Sequence, residues 1–349
     1  MKNKRIVIQH YGGVEGLQII EDELPLPKEG EVRVKVITAG VSYNEVMQQE
    51  GVFKNPALPI PKLPYTPGYD IFGIIEETGS NVDEKYKGKR VIALTGTGGY
   101  SKYINLPLEE LTMISEDFDL DPAQAVALVL NYVTAYQMLK RVARAKKGER
   151  ILVHGGAGGV GSALLDLGRY AGLEMYATAS THKQGFLKSY GAFPIDYVKE
   201  DFAETINRHS SKGLDMVFDC FGGSIATRSS SLLKENGRLV LFGDLAKMTN
   251  GKPGGFLQNV RTNMGIGFTL MKNLIPWNKR TVSFYGIDFY KKKHPDWFKE
   301  DLNELVQLLA TKEIQPIIAE QISLESIQYA HDLLSNRKVI GKLVLDMTR

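Results

Sequence analysis

The sequence predicts an α/β protein of two domains, a β-barrel-like unit joined to a doubly wound parallel sheet with helices on both faces. Three observations predict it. A chain of 349 residues is longer than one ordinary core supports, since domains usually hold roughly 100–200 residues. The first third is rich in short apolar, β-branched runs separated by glycine and proline. From Asp121 onward, strand-like and helix-like segments alternate. Alternation of that kind makes a parallel sheet with right-handed helical crossovers.

Taken in order, Arg33-Val34-Lys35-Val36-Ile37 alternates polar and apolar residues, as a half-buried strand does. Residues 71–78 and 90–94 are further strand candidates, with Pro25, Pro27, Gly30, Pro56, Pro59, Pro61, Pro64, Pro67, Gly68 and Gly79 marking turns. Asp121 suits a helix N-cap and Pro122 the first helical position, which predicts a helix over 123–139. Strands are then expected at 150–154, 174–179, 194–195, 216–219 and 237–242. Helices are expected between them at 161–171, 184–190, 202–209 and 225–233. A helix at 297–309 and a strand at 342–346 follow, and are expected to rejoin the first domain. The domains are therefore drawn as 1–123 with 290–349, and 124–289.

Composition narrows the function. Lysine and arginine number 43 against 40 acidic residues, a formal charge of +3, without the basic stripe of a nucleic-acid binder. Lys291-Lys292-Lys293 is short and is expected to be a solvated loop. Cys220 is the single cysteine, which excludes an intrachain disulfide and any site of two thiolates, and fits a reducing, cytoplasmic setting. The apolar run near the N-terminus is too short for a signal-peptide core, and no run approaches the roughly 18 residues of a membrane span.

The informative segment is Ile151-Leu152-Val153-His154-Gly155-Gly156-Ala157-Gly158-Gly159-Val160-Gly161. Gly156, Gly158 and Gly161 satisfy G-x-G-x-x-G between an expected strand and an expected helix, as a dinucleotide site requires. The first glycine permits a tight turn, the second lets a pyrophosphate approach the backbone, and the third allows close helix–strand packing. Gly159 and Val160 stand just before the helix whose N–H groups face the phosphates. His154, at the strand end, reads as a packing residue. The next strand ends Ala177-Thr178-Ala179-Ser180-Thr181-His182-Lys183. It lacks the carboxylate that would accept from a ribose 2′-hydroxyl and repel a 2′-phosphate. Ser180 offers a hydrogen bond and Lys183 a charge, which predicts NADPH as the cofactor.

These residues, with others, resemble the medium-chain dehydrogenase/reductase superfamily across nearly the whole chain. Gly40-Val41-Ser42-Tyr43-Asn44-Glu45-Val46-Met47 looks like its active-site loop, and Pro64-Tyr65-Thr66-Pro67-Gly68-Tyr69-Asp70-Ile71-Phe72-Gly73 like its P-x-x-P-G-x-[DE]-x-x-G segment. Gly88-Lys89-Arg90-Val91, Asp219-Cys220-Phe221-Gly222-Gly223 and Gly341-Lys342 also match. Leu130-Asn131-Tyr132-Val133-Thr134-Ala135-Tyr136 and Pro194-Ile195-Asp196-Tyr197 are most similar to the quinone oxidoreductases, in particular their vesicle amine transport protein-like subgroup. The resemblance implies a GroES-like β-barrel domain, a Rossmann domain, a cleft between them and a homodimer joined through the Rossmann sheets. It also implies that Ser42, Thr134, Tyr197 and Lys342 neighbour the cofactor, and that the backbone at Phe242-Gly243 and Phe284-Tyr285-Gly286 binds its carboxamide.

Two departures bear on chemistry. Zinc enzymes of the superfamily use a cysteine and a histidine where this chain has Ser42 and Tyr69. Neither replacement matches thiolate or imidazole as a zinc ligand, so no metal is expected. Quinone oxidoreductases usually place asparagine where Ser42 stands, and serine has a shorter reach and fewer donors.

Without a Lewis acid, the expected substrate is a quinone or an α,β-unsaturated carbonyl, which takes hydride at carbon and spreads charge onto oxygen. Tyr43, Tyr69 and Tyr132 are the candidates for a proton or hydrogen-bond donor, and Tyr43, Met47, Phe53 and Tyr132 for the pocket wall. Alternative readings are an enoyl-thioester reductase and a nucleotide-binding, non-enzymatic homologue of the vesicle protein. Residues 248–280 form too long a connection to be ordinary and read as a lid, a dimer arm or a surface-anchoring segment. A flap over the cleft is favoured there, and a membrane partner is not expected.

Overall fold

The computed structural model describes residues 2–349 except Lys54, Pro56, Ser211, Asn250, Gly251, Lys272, Asn273 and 275–277, together with the backbone alone of Thr249. The chain divides into two compact units, Met1–Val133 with His294–Arg349, and Thr134–Lys293.

In the first unit, β1 (Lys2–Ile8) and β2 (Leu17–Glu23) pair antiparallel. Next comes β3 (Glu31–Val41), longer at both ends than its alternating centre predicts. A helix α1 (Tyr43–Gln49) follows directly. Strands β4 (Asp70–Thr78), β5 (Arg90–Leu94), β6 (Tyr103–Pro107) and β7 (Thr112–Ile114) then build the sheet. β3 pairs with both β4 and β6, and two register shifts against β4 bend it so that it serves both. The core beneath is aliphatic, with Ile6, Val34, Ile71, Val91 and Leu345 all buried.

The segment expected as one helix over 123–139 is less regular. α2 (Pro122–Ala127), capped by Asp121 accepting from the Gln124 N–H, leads into an i→i+5 stretch over Leu128–Tyr132. α3 (Val133–Gln137) restores the ordinary pitch, and a second i→i+5 stretch covers Met138–Val142. Residues 123–139 are buried on nearly every side, so they show no 3.6-residue apolar stripe from which such irregularity could be read.

In the second unit, strands and helices alternate: β8 (Arg150–Val153), α4 (Gly159–Tyr170), β9 (Glu174–Ala179), α5 (Gln184–Ser189), β10 (Phe193–Asp196), α6 (Phe202–His209), β11 (Leu214–Asp219), α7 (Gly223–Ser231) and β12 (Leu233–Leu241). A short antiparallel pair, β13 (Met248–Thr249) and β14 (Lys252–Pro253), precedes α8 (Phe256–Met271), β15 (Thr281–Phe284) and α9 (Ile287–Lys293). The sheet order is β10-β9-β8-β11-β12-β15, every ladder parallel. This is the doubly wound arrangement that the alternating pattern predicts. Lys291-Lys292-Lys293 forms the last turn of α9 rather than a loop, where lysines suit the negative end of the helix dipole.

The chain then re-enters the first unit through α10 (Pro295–Ala310), β16 (Ile318–Ser323), α11 (Ile327–Ser335) and β17 (Lys342–Asp346). β17 lies between β16 and β3. No helix among the described residues is long and apolar enough to cross a membrane.

Candidate functional site

In the second unit's sheet the strand order reverses between β8 and β11, and ligands of open α/β sheets bind at the carboxyl ends of the strands flanking such a point. The glycine turn leaves β8 there. Gly155 has φ +69° and its N–H donates to Thr178 Oγ1 at 3.2 Å, while the Gly156 N–H donates to the Thr178 carbonyl at 2.9 Å. A Cβ on Gly156 would stand 2.9 Å from Ala177 Cβ, and one on Gly161 only 2.2 Å from the Gly155 carbonyl oxygen. These two glycines answer internal packing. Gly158 does not. It is exposed, has an ordinary φ of −78°, and a Cβ there would meet only the Gly155 oxygen at 3.4 Å. Its missing side chain leaves room outside the protein.

Gly158 is the N-cap of α4 and makes no side-chain cap; the helix begins at Gly159, two residues ahead of the expected start at 161. The first-turn N–H groups of Gly159, Val160 and Gly161 have no acceptor within a helix. A cradle of N–H groups at the positive end of a dipole, with an open face over Gly158, fits a pyrophosphate.

Ser180 follows β9, and its hydroxyl lies 3.4 Å from His182 Nδ1. Lys183 is buried at the end of the next turn. The Gln184 amide donates to the carbonyls of Ala179 at 2.8 Å and Ser180 at 3.3 Å, fixing this strand end. Tyr197 is exposed beside it, its N–H donating to the Ala179 carbonyl. Ser180, Lys183 and Tyr197 thus gather at the carboxyl ends of β9 and β10. Phe242 and Gly243 follow β12; the Phe242 N–H donates to the Asp219 carbonyl at 2.9 Å, and a Cβ on Gly243 would crowd Cys220 O at 2.6 Å. Phe284 ends β15 exposed, with Gly286 just beyond it. Thr134 is buried in α3 between the two irregular stretches.

His154 is a packing residue. Its ring nitrogens lie 3.2 Å from Thr178 Oγ1 and 2.9 Å from Ser229 Oγ, and its ring meets Phe202 edge-on. Burial, then the Arg228 charge, brings its pKa down to about 3 and keeps it neutral. Asp219 was visible in the sequence only as a motif residue. One carboxylate oxygen accepts from the Phe221 and Gly222 N–H groups, and the other is buried without a partner. Burial pushes its pKa up to about 7.

The first unit's candidates surround α1. Ser42 caps it, its hydroxyl accepting from the Asn44 N–H at 3.3 Å and donating to Glu45. Glu45 also accepts from the Ser42 N–H and the Tyr69 N–H, each at 2.9 Å. No sequence cue marked Glu45 beyond its place three residues after a serine, the capping-box spacing. Burial pushes its carboxyl up to about 7 against the pull of Lys342. Lys342 is itself buried and donates to both Asp70 oxygens at 2.9 and 3.2 Å. Gly40 makes room for them, since a Cβ there would stand 2.3 Å from Asp70 and 2.5 Å from the lysine nitrogen. Tyr69 is buried with its ring edge-to-face on Phe53, centroids 6.2 Å apart. Tyr132 and Met47 are buried, while Tyr43 is partly exposed and burial raises its pKa. Among the described residues no group of three or more histidine, cysteine or carboxylate side chains could hold a metal ion.

Within residues 248–280, the short β13–β14 pair is followed by α8, which packs along α7. A Cβ on Gly265 would lie 2.7 Å from the Gly223 backbone, and Thr269 Oγ1 is 3.1 Å from Thr227 Oγ1. Asn250, Gly251, Lys272, Asn273 and 275–277, part of the expected arm, lie outside the described residues, as does the expected turn residue Pro56.

Comparison with known proteins adds family and fold. An alcohol dehydrogenase GroES-like domain matches residues 28–116, and a zinc-binding dehydrogenase domain matches 190–345. The human synaptic vesicle membrane protein VAT-1 homolog-like is 28% identical over 99% of this chain and 81% of its own. Its crystal structure superposes with a TM-score of 0.81 at 26% identity, covering 100% of this chain and 99% of that one. Human quinone oxidoreductase is 29% identical over 98% of this chain and 97% of its own. The quinone oxidoreductase of Pseudomonas syringae has a TM-score of 0.82 at 27% identity, covering 99% of each chain.

Proposed function

Because the chain belongs to the medium-chain dehydrogenase/reductase family, we propose that this oxidoreductase uses NADPH, without zinc, to reduce a quinone or an α,β-unsaturated carbonyl. The observation that carries the reading is the exposed, internally unneeded glycine at Gly158, set at the sheet's switch point beside a strand end without a carboxylate. The turn and the first N–H groups of α4 hold the pyrophosphate. Ser180, Lys183 and Tyr197 receive the 2′-phosphate, and the backbone at Phe242-Gly243 and Phe284-Gly286 orients the carboxamide. The bound nicotinamide supplies the hydride.

The absence of zinc from the proposal rests on donors. Ser42 spends its hydroxyl on the start of α1, the Tyr69 ring is packed on Phe53, and Cys220 is the only thiol. A conjugated acceptor then needs proximity and one oxyanion donor. Tyr43 is the least buried of the three candidate tyrosines, and we assign it that contact. A homodimer joined through the second unit's sheet belongs to the same reading, with β15 as the terminal strand.

The test measures nicotinamide oxidation with a quinone, an alkenal and an enoyl-CoA ester, each with NADPH and with NADH. Turnover of the quinone or alkenal with NADPH, by protein without stoichiometric zinc, is the expected result. Preference for the enoyl ester makes the protein a thioester reductase instead. Nucleotide binding with no turnover of any acceptor favours a non-enzymatic role, and a separate assay showing that ethanol reduces NADP+ while no acceptor is turned over would show that the proposed reaction class is wrong.

A further inference from the structure

Four buried side chains of the first unit hold polar atoms that meet no partner among the described residues. They are both amide atoms of Gln48, the Tyr65 and Tyr100 hydroxyls, and Nε2 of His331. None of the four residues is more than 5% exposed. A buried polar group left unmatched is costly, so several in one place ask for a shared occupant.

They converge on α1. Gln48 stands about one turn after Glu45 on that helix. The Ile6 and Ile8 N–H groups donate to the Tyr100 and Tyr65 carbonyls, each at 2.9 Å, which sets the two tyrosines near each other along β1. Burial, then the Glu45 and Asp70 carboxyls, raises the Tyr100 pKa; burial, then Tyr11 and Glu45, raises that of Tyr65. His331, on α11, meets Tyr100 edge-on with ring centroids 6.1 Å apart. Its Nδ1 lies 2.6 Å from Gln49 Oε1, so Nδ1 carries the hydrogen and Nε2 is a bare acceptor. Donors and acceptors mixed in this way suit buried water. Tyr65 lies in the field of both Glu45 and Tyr11, and Tyr11 is 47% exposed, which gives the cluster an exit to solvent. At the inner end, Glu45 shares a hydrogen bond with the partly exposed Ser42 hydroxyl. Burial raises the carboxyl to about 7 although Lys342 on β17 pulls it down, and Asp70 on β4 is the other charge that faces it.

Every hydride delivered to a quinone or an enone leaves an anion that must take one proton. On the footing of the reduction proposed above, we infer that Glu45 supplies this proton through Ser42, and that water held by Gln48, Tyr65, Tyr100 and His331 recharges Glu45 from solvent. The substrate oxygen takes the Ser42 hydroxyl proton, Ser42 Oγ takes the Glu45 carboxyl proton, and the carboxylate takes one from the water chain. Tyr43 keeps the oxyanion contact, and one solvent proton is consumed per turnover.

Infrared difference spectra of the full chain, taken on either side of about pH 7, should show a buried acid losing its proton, and Glu45→Gln should remove its band. Glutamine also completes a capping box, so α1 keeps its start. In heavy water the Glu45 band of the native protein should shift on mixing. In Tyr65→Phe with Gln48→Leu the shift should wait for local opening and run at least about tenfold slower. With NADPH and the preferred acceptor, Glu45→Gln should lower kcat by about 10²-fold or more at an unchanged KM, and the double variant should raise the solvent isotope effect. A Glu45 band that exchanges no faster than the α1 amides, or alike in the native and double-variant proteins, overturns the water path. Native turnover in Glu45→Gln overturns the relay. A native protein that turns over no acceptor while its Glu45 band exchanges as expected refutes the reduction, and the Ser42 step with it, but supports the path to Glu45.

Discussion

In the proposed reading, the cofactor preference rests largely on one side chain, Lys183. It stands buried beside Ser180 at the end of β9, with no carboxylate on that strand end. A 2′-phosphate offers this ammonium a charge-assisted contact that a 2′-hydroxyl does not. We expect NADPH to bind at least about tenfold tighter than NADH, and Lys183→Ala to narrow that ratio chiefly by weakening NADPH. Titrating both nucleotides into both proteins checks it, and equal affinities in the native protein would contradict the assignment. The sequence showed this residue because a nucleotide motif fixes the position relative to the glycines. It did not show Glu45 or Asp219, whose importance is their burial. A lone carboxylate in a sequence looks like a surface charge until the fold closes over it.

Two glycines of the same turn should respond oppositely to a methyl group. Gly161→Ala places Cβ against the Gly155 carbonyl at 2.2 Å, a backbone contact that has no cheap escape, and should destabilise by about 1–3 kcal/mol. Gly158→Ala meets nothing closer than 3.4 Å, so the protein should fold as before while nucleotide affinity falls by about tenfold or more. Denaturant melts and nucleotide titration on the pair separate the effects. If Gly158→Ala left binding intact, the pyrophosphate would lie elsewhere. The same contrast explains what could be read in advance among the elements. Strands of the second unit are continuous apolar runs bounded by turns, and β9 and α6 were expected at their observed limits. β12 was expected only from 237, because Lys234-Glu235-Asn236 looks like a turn. The strand passes through it by a shifted register against β11, with Asn236 at φ 63°. β15 and β16 went unseen because each pairs at a sheet end and lacks a regular apolar alternation.

Across the molecule, each unit holds a buried carboxyl that burial raises to about 7 and a buried imidazole that burial lowers to about 3. The first has Glu45 and His331, the second Asp219 and His154. A carboxyl raised above its unfolded value favours the fold at low pH and loses that contribution as pH climbs to about 7. An imidazole depressed from 6.5 favours the fold above that pH and loses its contribution as pH falls toward about 3. Between about pH 4.5 and 6.5 the two slopes oppose, so the contribution of each such pair should be nearly flat. Asp219→Asn removes one of them. The second unit's unfolding free energy should then rise with pH by on the order of 1 kcal/mol per unit over that window. Denaturant melts at several pH values read this directly, and a variant as flat as the native protein would show that Asp219 is ionised in the fold.

The position of β17 also governs the order in which the protein can be made. β17 fills the gap between β16 and β3 and brings Lys342 to Asp70, yet it is synthesised some 300 residues after β3. The second unit is an uninterrupted insertion and can fold while the ribosome is still translating. Meanwhile the first unit waits with the Thr38–Val41 end of β3 unpaired on the side that β6 leaves open, and with Asp70 lacking its counter-ion. Such distant pairing slows closure and exposes a strand edge to other chains. A nascent chain halted before Lys342 should therefore contain a finished nucleotide domain beside an aggregation-prone remainder that needs a chaperone.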